Sequence, residues 1–107
     1  MDAFTALSDA TRRRIVETLS SGERSFGEIA AGFPISAPAV SQHLRVLRQA
    51  GVVAVRRDAQ RRIYRLEDEA LSEIEAWVSH VRRFWSDRLD RLEAALDSPP
   101  TEPGDES

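Results

Sequence analysis

The stretch from Ser25 to Gly51 constrains the fold more than any other part of the sequence. Residues 25–28 read Ser-Phe-Gly-Glu, a capping-box pattern that predicts the start of a helix, and Gly32 is the stop signal that follows it. Pro34 then interrupts the chain, and Ser36 is the N-cap signal of a second helix. The sequence therefore predicts two short helices joined by a tight turn, the layout of a helix–turn–helix.

The second of these helices, which ends at Gly51, has two chemically different sides. One side is aliphatic, recurs at the spacing of one helix face and predicts an anchor in the core: Val40, Leu44 and Leu47. The other side is polar and includes Ser41, Gln42 and Arg45. Glutamine can pair with adenine, and arginine with guanine, through two hydrogen bonds each. The N-cap Ser36 is followed in the first turn by the small Ala37 and the rigid Pro38. The amino end of the helix favours a phosphate oxygen.

Residues 52–66 predict a β-hairpin with a basic tip. The two strands are expected at Val52–Val55 and Ile63–Leu66, which are rich in β-branched residues. The intervening Asp58-Ala59-Gln60 contains no glycine, so we expect a loop longer than a tight two-residue turn. Four arginines surround this tip: Arg56, Arg57, Arg61 and Arg62. A basic hairpin beside a reading helix could reach the DNA backbone or minor groove, and the alternative is a surface hairpin with incidental arginines.

Helical patterns flank this central unit on both sides. Residues 2–7 predict a short helix, and Ser8-Asp9 is the N-cap signal of another that continues to about Gly22. A single helix of about 45 Å is expected from Asp68 to about Asp97. Its apolar stripe, widened by Trp77 and Phe84, has steps of three and four residues: Leu71, Ile74, Val78, Val81, Trp85, Leu89, Leu92 and Leu96. The predicted fold class is mainly α with a small β-hairpin.

The charge is distributed unevenly along the chain. The net charge of −3 is unusual for a protein that binds nucleic acid. However, residues 1–67 contain 11 arginines and 7 acidic residues, whereas residues 68–107 contain 4 arginines and 11 acidic residues. Residues 36–65 contain 7 arginines and a single acid, and the chain has no lysine. The basic segment thus coincides with the predicted helix–turn–helix and hairpin, and arginine pairs with phosphate and guanine in a bidentate way.

The composition argues against several other classes of protein. The absence of cysteine excludes disulfides and thiolate metal sites, and there are only two histidines, His43 and His80. Ser41 and His43 cannot form a nucleophile–base pair, because helical residues two positions apart point about 200° away from each other. We instead expect His43 to make a hydrogen bond that anchors its helix. Neither a cofactor nor enzymatic activity is expected.

Domain organisation and location follow from the same patterns. Residues 1–97 are expected to form one domain, and residues 98–107, which are acidic and rich in proline, are expected to be disordered. No run of 18 apolar residues predicts a membrane span, and the amino-terminal residues lack the pattern of a signal peptide. A cytoplasmic protein is therefore expected.

Four segments together resemble the ArsR/SmtB family of winged helix–turn–helix repressors: Ala6–Ile15, Ser36–Leu47, Ala50–Val53 and Arg62–Leu66. The resemblance covers about residues 4–97. It implies a homodimer that binds an imperfect inverted repeat in double-stranded DNA and blocks transcription. The reading residues of the family correspond to Ser41 and Gln42, with Pro38 and Arg45 beside them. Its dimer interface is formed by the first and last helices, which here supply Phe4, Leu7, Val78, Val81, Trp85, Leu89, Leu92 and Leu96.

Two alternatives remain open at the level of sequence. Many members of the family are released from DNA by metal, but here the last helix offers only His80, with Glu73 and Asp87 seven residues away on either side, which is a poor transition-metal site. The resemblance therefore implies the branch without metal-site cysteines, with no metal site and with an unidentified inducer, if any. The second alternative is a winged-helix module that binds another protein, which the acidic carboxyl-terminal part would permit.

Overall fold

The computed structural model describes residues 2–97, and the chain divides into two units between Glu75 and Ala76. The expected disordered tail, residues 98–107, lies outside the described residues. The elements in chain order are α1 (Ala3–Ala6), α2 (Ala10–Leu19), β1 (Arg24–Ser25), α3 (Phe26–Ala31), α4 (Ala37–Gln49), β2 (Val53–Asp58), β3 (Arg61–Leu66) and α5 (Asp68–Asp97). Within the described part of the chain, no helix is long and apolar enough to cross a membrane.

Side-chain caps start the first four helices. Asp2, Asp9, Ser25 and Ser36 each accept a hydrogen bond from a backbone N–H in the first turn of the helix that follows. The capping box predicted at α3 is confirmed: the Glu28 amide donates to Ser25 Oγ at 3.1 Å, and the Ser25 amide donates to Glu28 Oε1 at 2.8 Å. The hydrogen bond from the Ser25 amide lowers the pKa of the Glu28 carboxyl.

The substitution Ser25→Ala is expected to lower the free energy of unfolding by about 1 kcal/mol, because the amide of residue 28 loses its acceptor. Urea unfolding measures the change, and Ser21→Ala is the control, since that exposed hydroxyl donates to the Thr18 carbonyl at a helix end. The ionised Glu28 carboxylate stabilises the folded state fully at neutral pH. This stabilisation is lost as the pH falls below 4.5, the ordinary pKa of the carboxyl, because the folded-state pKa is lowered. If the midpoint of urea unfolding is the same for Ser25→Ala and Ser21→Ala, the role of Ser25 as a stabilising helix cap is contradicted.

The hairpin turn is tighter than the sequence suggests. Strands β2 and β3 pair without interruption from Val53↔Leu66 to Asp58↔Arg61, so the turn contains only Ala59 and Gln60. The expectation of a longer loop is therefore wrong. Ala59 adopts a φ of 58°, the left-handed conformation that glycine usually supplies, because continued pairing of the polar strand ends fixes a two-residue connection.

A third strand extends the predicted hairpin into a sheet. The two-residue strand β1 pairs antiparallel with β3, through Arg24↔Tyr64 and Ser25↔Ile63, and the strand order is β1-β3-β2. This pairing joins the start of the helix–turn–helix to the hairpin by backbone hydrogen bonds.

The core of the first unit lies between the helices and one face of the sheet. Helices α1 to α4, the sheet and the first turns of α5 all contribute buried residues, and the largest of these are Ile15, Leu19, Ile29, Val40, Leu44, Leu47, Val52, Val53 and Tyr64. The predicted anchor of α4 is thus confirmed. From α5, Ala70 is buried in this core and Ile74 packs against it.

Candidate nucleic-acid interface

Helix α4 is fixed along its aliphatic row and presents polar side chains elsewhere. Val40, Leu44 and Leu47 are fully or almost fully buried. At about 100° per residue, Gln42 lies roughly opposite this buried row. Gln42 and Arg45 are exposed and Ser41 is partly exposed, as a surface that contacts base edges requires.

The first turn of α4 is open at the surface. Ser36, Ala37 and Pro38 are all exposed, and Ser36 Oγ accepts the Ala39 amide at 3.2 Å. The two residues after the cap have no long side chain, so another molecule can approach the backbone closely at this end of the helix.

A polar contact fixes α4 against the amino end of α2. Arg12 Nη1 donates to His43 Nδ1 at 3.3 Å, and Asp9 Oδ1 lies 4.0 Å from the same nitrogen. Arg12 also donates through Nε to the Ala6 carbonyl, so its guanidinium is held from two sides. The Arg12 amide donates to Asp9, which lowers the pKa of the Asp9 carboxyl. The predicted anchoring hydrogen bond of His43 is confirmed, with a partner that the sequence does not identify.

The four arginines around the hairpin tip have different environments. Arg56 Nη2 lies 3.0 Å from Glu23 Oε1, and this hydrogen-bonded pair lowers the pKa of the Glu23 carboxyl. Arg61 lies 3.9 Å from Asp58. Arg57 and Arg62 face each other directly across the two strands, and neither forms a salt bridge with any of residues 2–97. Within the described residues, two of the four arginines around the tip are thus ion-paired and two are not.

A cleft of about 150 Å³ separates α4 from the sheet. Its lining combines three arginines with two hydroxyl groups and one leucine: Ser41, Leu44, Arg45, Arg48, Arg62 and Tyr64. Arg48 and Tyr64 were not among the predicted site residues. Helical spacing from Ser41 could have identified Arg48, whereas the position of Tyr64 depends on how the sheet packs.

The second unit carries a broad apolar surface on α5. Leu89, Trp85 and Leu92 are 59%, 56% and 56% exposed, and Val78, Phe84 and Leu96 are exposed as well. The Arg88 guanidinium lies 4.7 Å from the centre of the Phe84 ring. We name the exposed apolar residues of α5 the α5 stripe: Trp77, Val78, Phe84, Trp85, Leu89, Leu92 and Leu96.

The remaining predicted interface residues and His80 can be placed individually. In α1, Phe4 is exposed, whereas the adjoining Leu7 packs partly against the core of the first unit. Val81, on α5, is partly exposed. His80 is exposed, and residues 2–97 contain no group of three His, Cys, Asp or Glu side chains placed to hold a metal ion.

The described chain contains helix α3, a tight turn, helix α4 with its polar surface, and a basic two-stranded wing formed by β2 and β3. Together these elements define a winged helix–turn–helix DNA-binding protein. Comparison with known proteins gives the same class. The family described as "Bacterial regulatory protein, arsR family" matches residues 9–55. The HTH-type transcriptional regulator Rv2034 of Mycobacterium tuberculosis is 43% identical over 96 residues, which cover 90% of this chain and 87% of that protein. The chain therefore belongs to the arsR family and is a DNA-binding transcriptional regulator.

Three further proteins illustrate the similarity. The transcriptional repressor SdpR of Bacillus subtilis is 39% identical over 77 residues, which cover 72% of this chain and 86% of that protein. The crystal structure of a "possible transcriptional regulator for arsenical resistance" has a TM-score of 0.72 at 43% identity, and the match covers 94% and 99% of the two chains. The solution structure of the homodimeric winged helix-turn-helix DNA-binding domain Mb0332 of Mycobacterium bovis has a TM-score of 0.61 at 30% identity and coverages of 74% and 73%.

Proposed function

We propose that this protein is a homodimeric repressor that binds an inverted-repeat operator in double-stranded DNA. The observation that carries the proposal is helix α4, which is anchored by a buried aliphatic row and presents Gln42 and Arg45 beside a basic wing. Similarity to a protein named a transcriptional repressor supports the direction of regulation. Similarity to a homodimeric winged helix-turn-helix domain supports the assembly.

The contacts with DNA divide between α4 and the wing. In the proposal α4 enters the major groove, where Gln42 and its neighbours contact base edges, while the wing contacts the backbone or the minor groove. The contacting residues are Ser36, Ala37, Pro38, Ser41, Gln42, Arg45, Arg57, Arg61 and Arg62. Arg61 is paired with Asp58, so we expect it to contribute less than Arg57, which has no ion-pair partner in the described residues.

The dimer forms through α1 and α5 in this proposal, so that residues 1–97 act as one DNA-binding and dimerisation domain in the cytoplasm. Large exposed apolar side chains clustered on one helix indicate a surface that another molecule covers. The interface residues are Phe4, Leu7, Val78, Val81, Trp85, Leu89, Leu92 and Leu96. Leu7 already packs against its own core, so it contributes only the part of its side chain that remains exposed.

Footprinting on the DNA upstream of the protein's own gene tests the function. A two-fold dimer should protect two half-sites whose centres lie about one helical turn, roughly 34–36 Å, or a multiple of it, apart. Binding that shows no preference for this DNA over a scrambled sequence at physiological salt would overturn the proposal of a specific repressor.

The substitution Gln42→Ala is expected to relax base preference. It should lower the ratio of operator affinity to scrambled-DNA affinity about tenfold, because one bidentate side-chain contact supplies about 1–3 kcal/mol of discrimination. The matched control is Gln49→Ala, which removes an exposed glutamine from the carboxyl end of the same helix, about 10 Å farther along its axis. Gel-shift titrations measure both ratios, and equal ratios for the two variants would exclude Gln42 as a reading residue.

A further inference from the structure

The cleft between α4 and β3 contains positive charge that the described chain does not neutralise. Arg45 and Arg48 line it from α4, and Arg62 lines it from β3. None of the three forms a salt bridge within residues 2–97. By contrast, the sheet residues Arg56, Arg61 and Arg65 each pair with a carboxylate.

Tyr64 adds a hydrogen-bonding group to the wall of this cleft. The residue is only 5% exposed, yet its hydroxyl makes no hydrogen bond to any described residue. Among residues 2–97, no fully buried side-chain nitrogen or oxygen lacks a partner, so the hydroxyl oxygen lies within the small part of Tyr64 that remains exposed. Since Tyr64 lines the cleft, a molecule bound there could accept a hydrogen bond from this hydroxyl.

The local structure holds Arg62 in place for such a ligand. Its guanidinium carbon lies over the Phe26 ring, 5.0 Å from the ring centre, a cation–π contact that uses none of the N–H groups as a conventional hydrogen-bond donor. Arg57 is its direct cross-strand partner, and like charges in that position repel each other. An anion bound beside Arg62 would reduce this repulsion.

We propose that the cleft is a binding site for one phosphate group and that the phosphate belongs to the DNA backbone. The assignment of the phosphate to DNA rests on the proposed function. The cleft, with a volume of about 150 Å³, has room for a phosphate group. Three guanidinium groups and a phenol match the several acceptor oxygens of phosphate. In this proposal Arg45 binds the DNA backbone, and Gln42 remains the residue that contacts base edges.

Two substitutions test the site on DNA. Tyr64→Phe removes only the hydroxyl and should weaken binding roughly tenfold on operator and scrambled DNA alike. Arg48→Gln should reduce the slope of log affinity against log salt concentration by about 1 per protomer, and therefore by about 2 for a dimer on two half-sites. The control is Arg56→Gln, which removes the same charge from strand β2, from an arginine already paired with Glu23, so its slope should change much less. Affinities and slopes of both site variants equal to those of the control would overturn the proposal.

A titration with inorganic phosphate, without DNA, separates this proposal from the function. We expect phosphate at millimolar concentration to shift the NMR signals of the Tyr64 ring and the Arg62 Nε–H, and to shift them much less in Arg48→Gln. Absence of these shifts, together with specific DNA binding that both site variants retain, would reject the cleft and leave the repressor intact. Phosphate-dependent shifts in a protein that shows no preference for its upstream DNA would support the anion site and overturn the proposed function.

Discussion

The substitution Leu89→Glu is expected to convert the protein from a dimer into a monomer. Leu89 is 59% exposed and belongs to the α5 stripe, with Trp85 and Leu92 nearby on the same helix. Complete burial of a leucine contributes about 1.5–3 kcal/mol, and a two-fold interface counts each residue twice. A glutamate at this position would lose that contribution and would place an unpaired carboxylate in the interface, which costs several kcal/mol more.

The same substitution should weaken operator binding by at least about a hundredfold. A dimer that occupies one half-site holds its second α4 near the other half-site at a high effective concentration, which commonly raises affinity by about 10²–10⁴. A monomer keeps the contacts of one half-site and loses this gain. Base preference within a single half-site should stay unchanged, because α4 is not altered.

Ser86→Glu is the matched control for the stripe. It introduces the same side chain and the same change of charge on the same helix, at an exposed position outside the stripe. Sedimentation velocity gives the mass of each variant, and circular dichroism shows whether the helix is retained. If Leu89→Glu is dimeric at every protein concentration at which Ser86→Glu is dimeric, the α5 stripe is excluded as the interface. A monomeric variant with unchanged operator affinity would show that the dimer is not needed for binding.

The elements that the sequence predicts well are those whose signals are local. The start of α3 depends on Ser25 and Glu28, three residues apart, and the start of α4 on Ser36 and the amide of Ala39. Such contacts form within one helical turn, so residue order alone specifies them. The same holds for the aliphatic row of α4, because helical spacing places its members on one face.

The features that the sequence does not reveal depend on contacts between distant parts of the chain. Strand β1 has only two residues and exists because Arg24 pairs with Tyr64, 40 positions later. The tight turn at Ala59 follows from strand pairing, which overrides the local preference for glycine. Likewise, the ring beside Arg62 comes from Phe26, at the start of α3. The cleft between α4 and β3 is therefore a product of tertiary structure, and the predicted site residues include Ser41, Arg45 and Arg62 of its lining but not Arg48 or Tyr64.

The substitution Leu47→Ala is expected to lower the free energy of unfolding by about 2–5 kcal/mol. Leu47 is completely buried on the anchoring side of α4, and its carbonyl accepts the Val52 amide at 2.9 Å where the helix leads into the sheet. Truncation removes buried methyl groups and leaves a cavity that the surrounding core fills only in part. Because domains of this size are stabilised by about 5–15 kcal/mol in total, the loss is a large fraction of the whole.

Leu47→Met provides the volume-conserving control and should cost less than about 1.5 kcal/mol. Chemical denaturation at equal protein concentrations measures both variants, since dimer formation makes apparent stability depend on concentration. A loss below 1 kcal/mol for Leu47→Ala would contradict the anchoring role of this row. If the two sides of α4 have separate roles, the folded fraction of Leu47→Ala retains the operator preference of the wild type. Gln42→Ala should show the reverse, with unchanged stability and reduced preference, because its side chain is exposed and contributes little to the core.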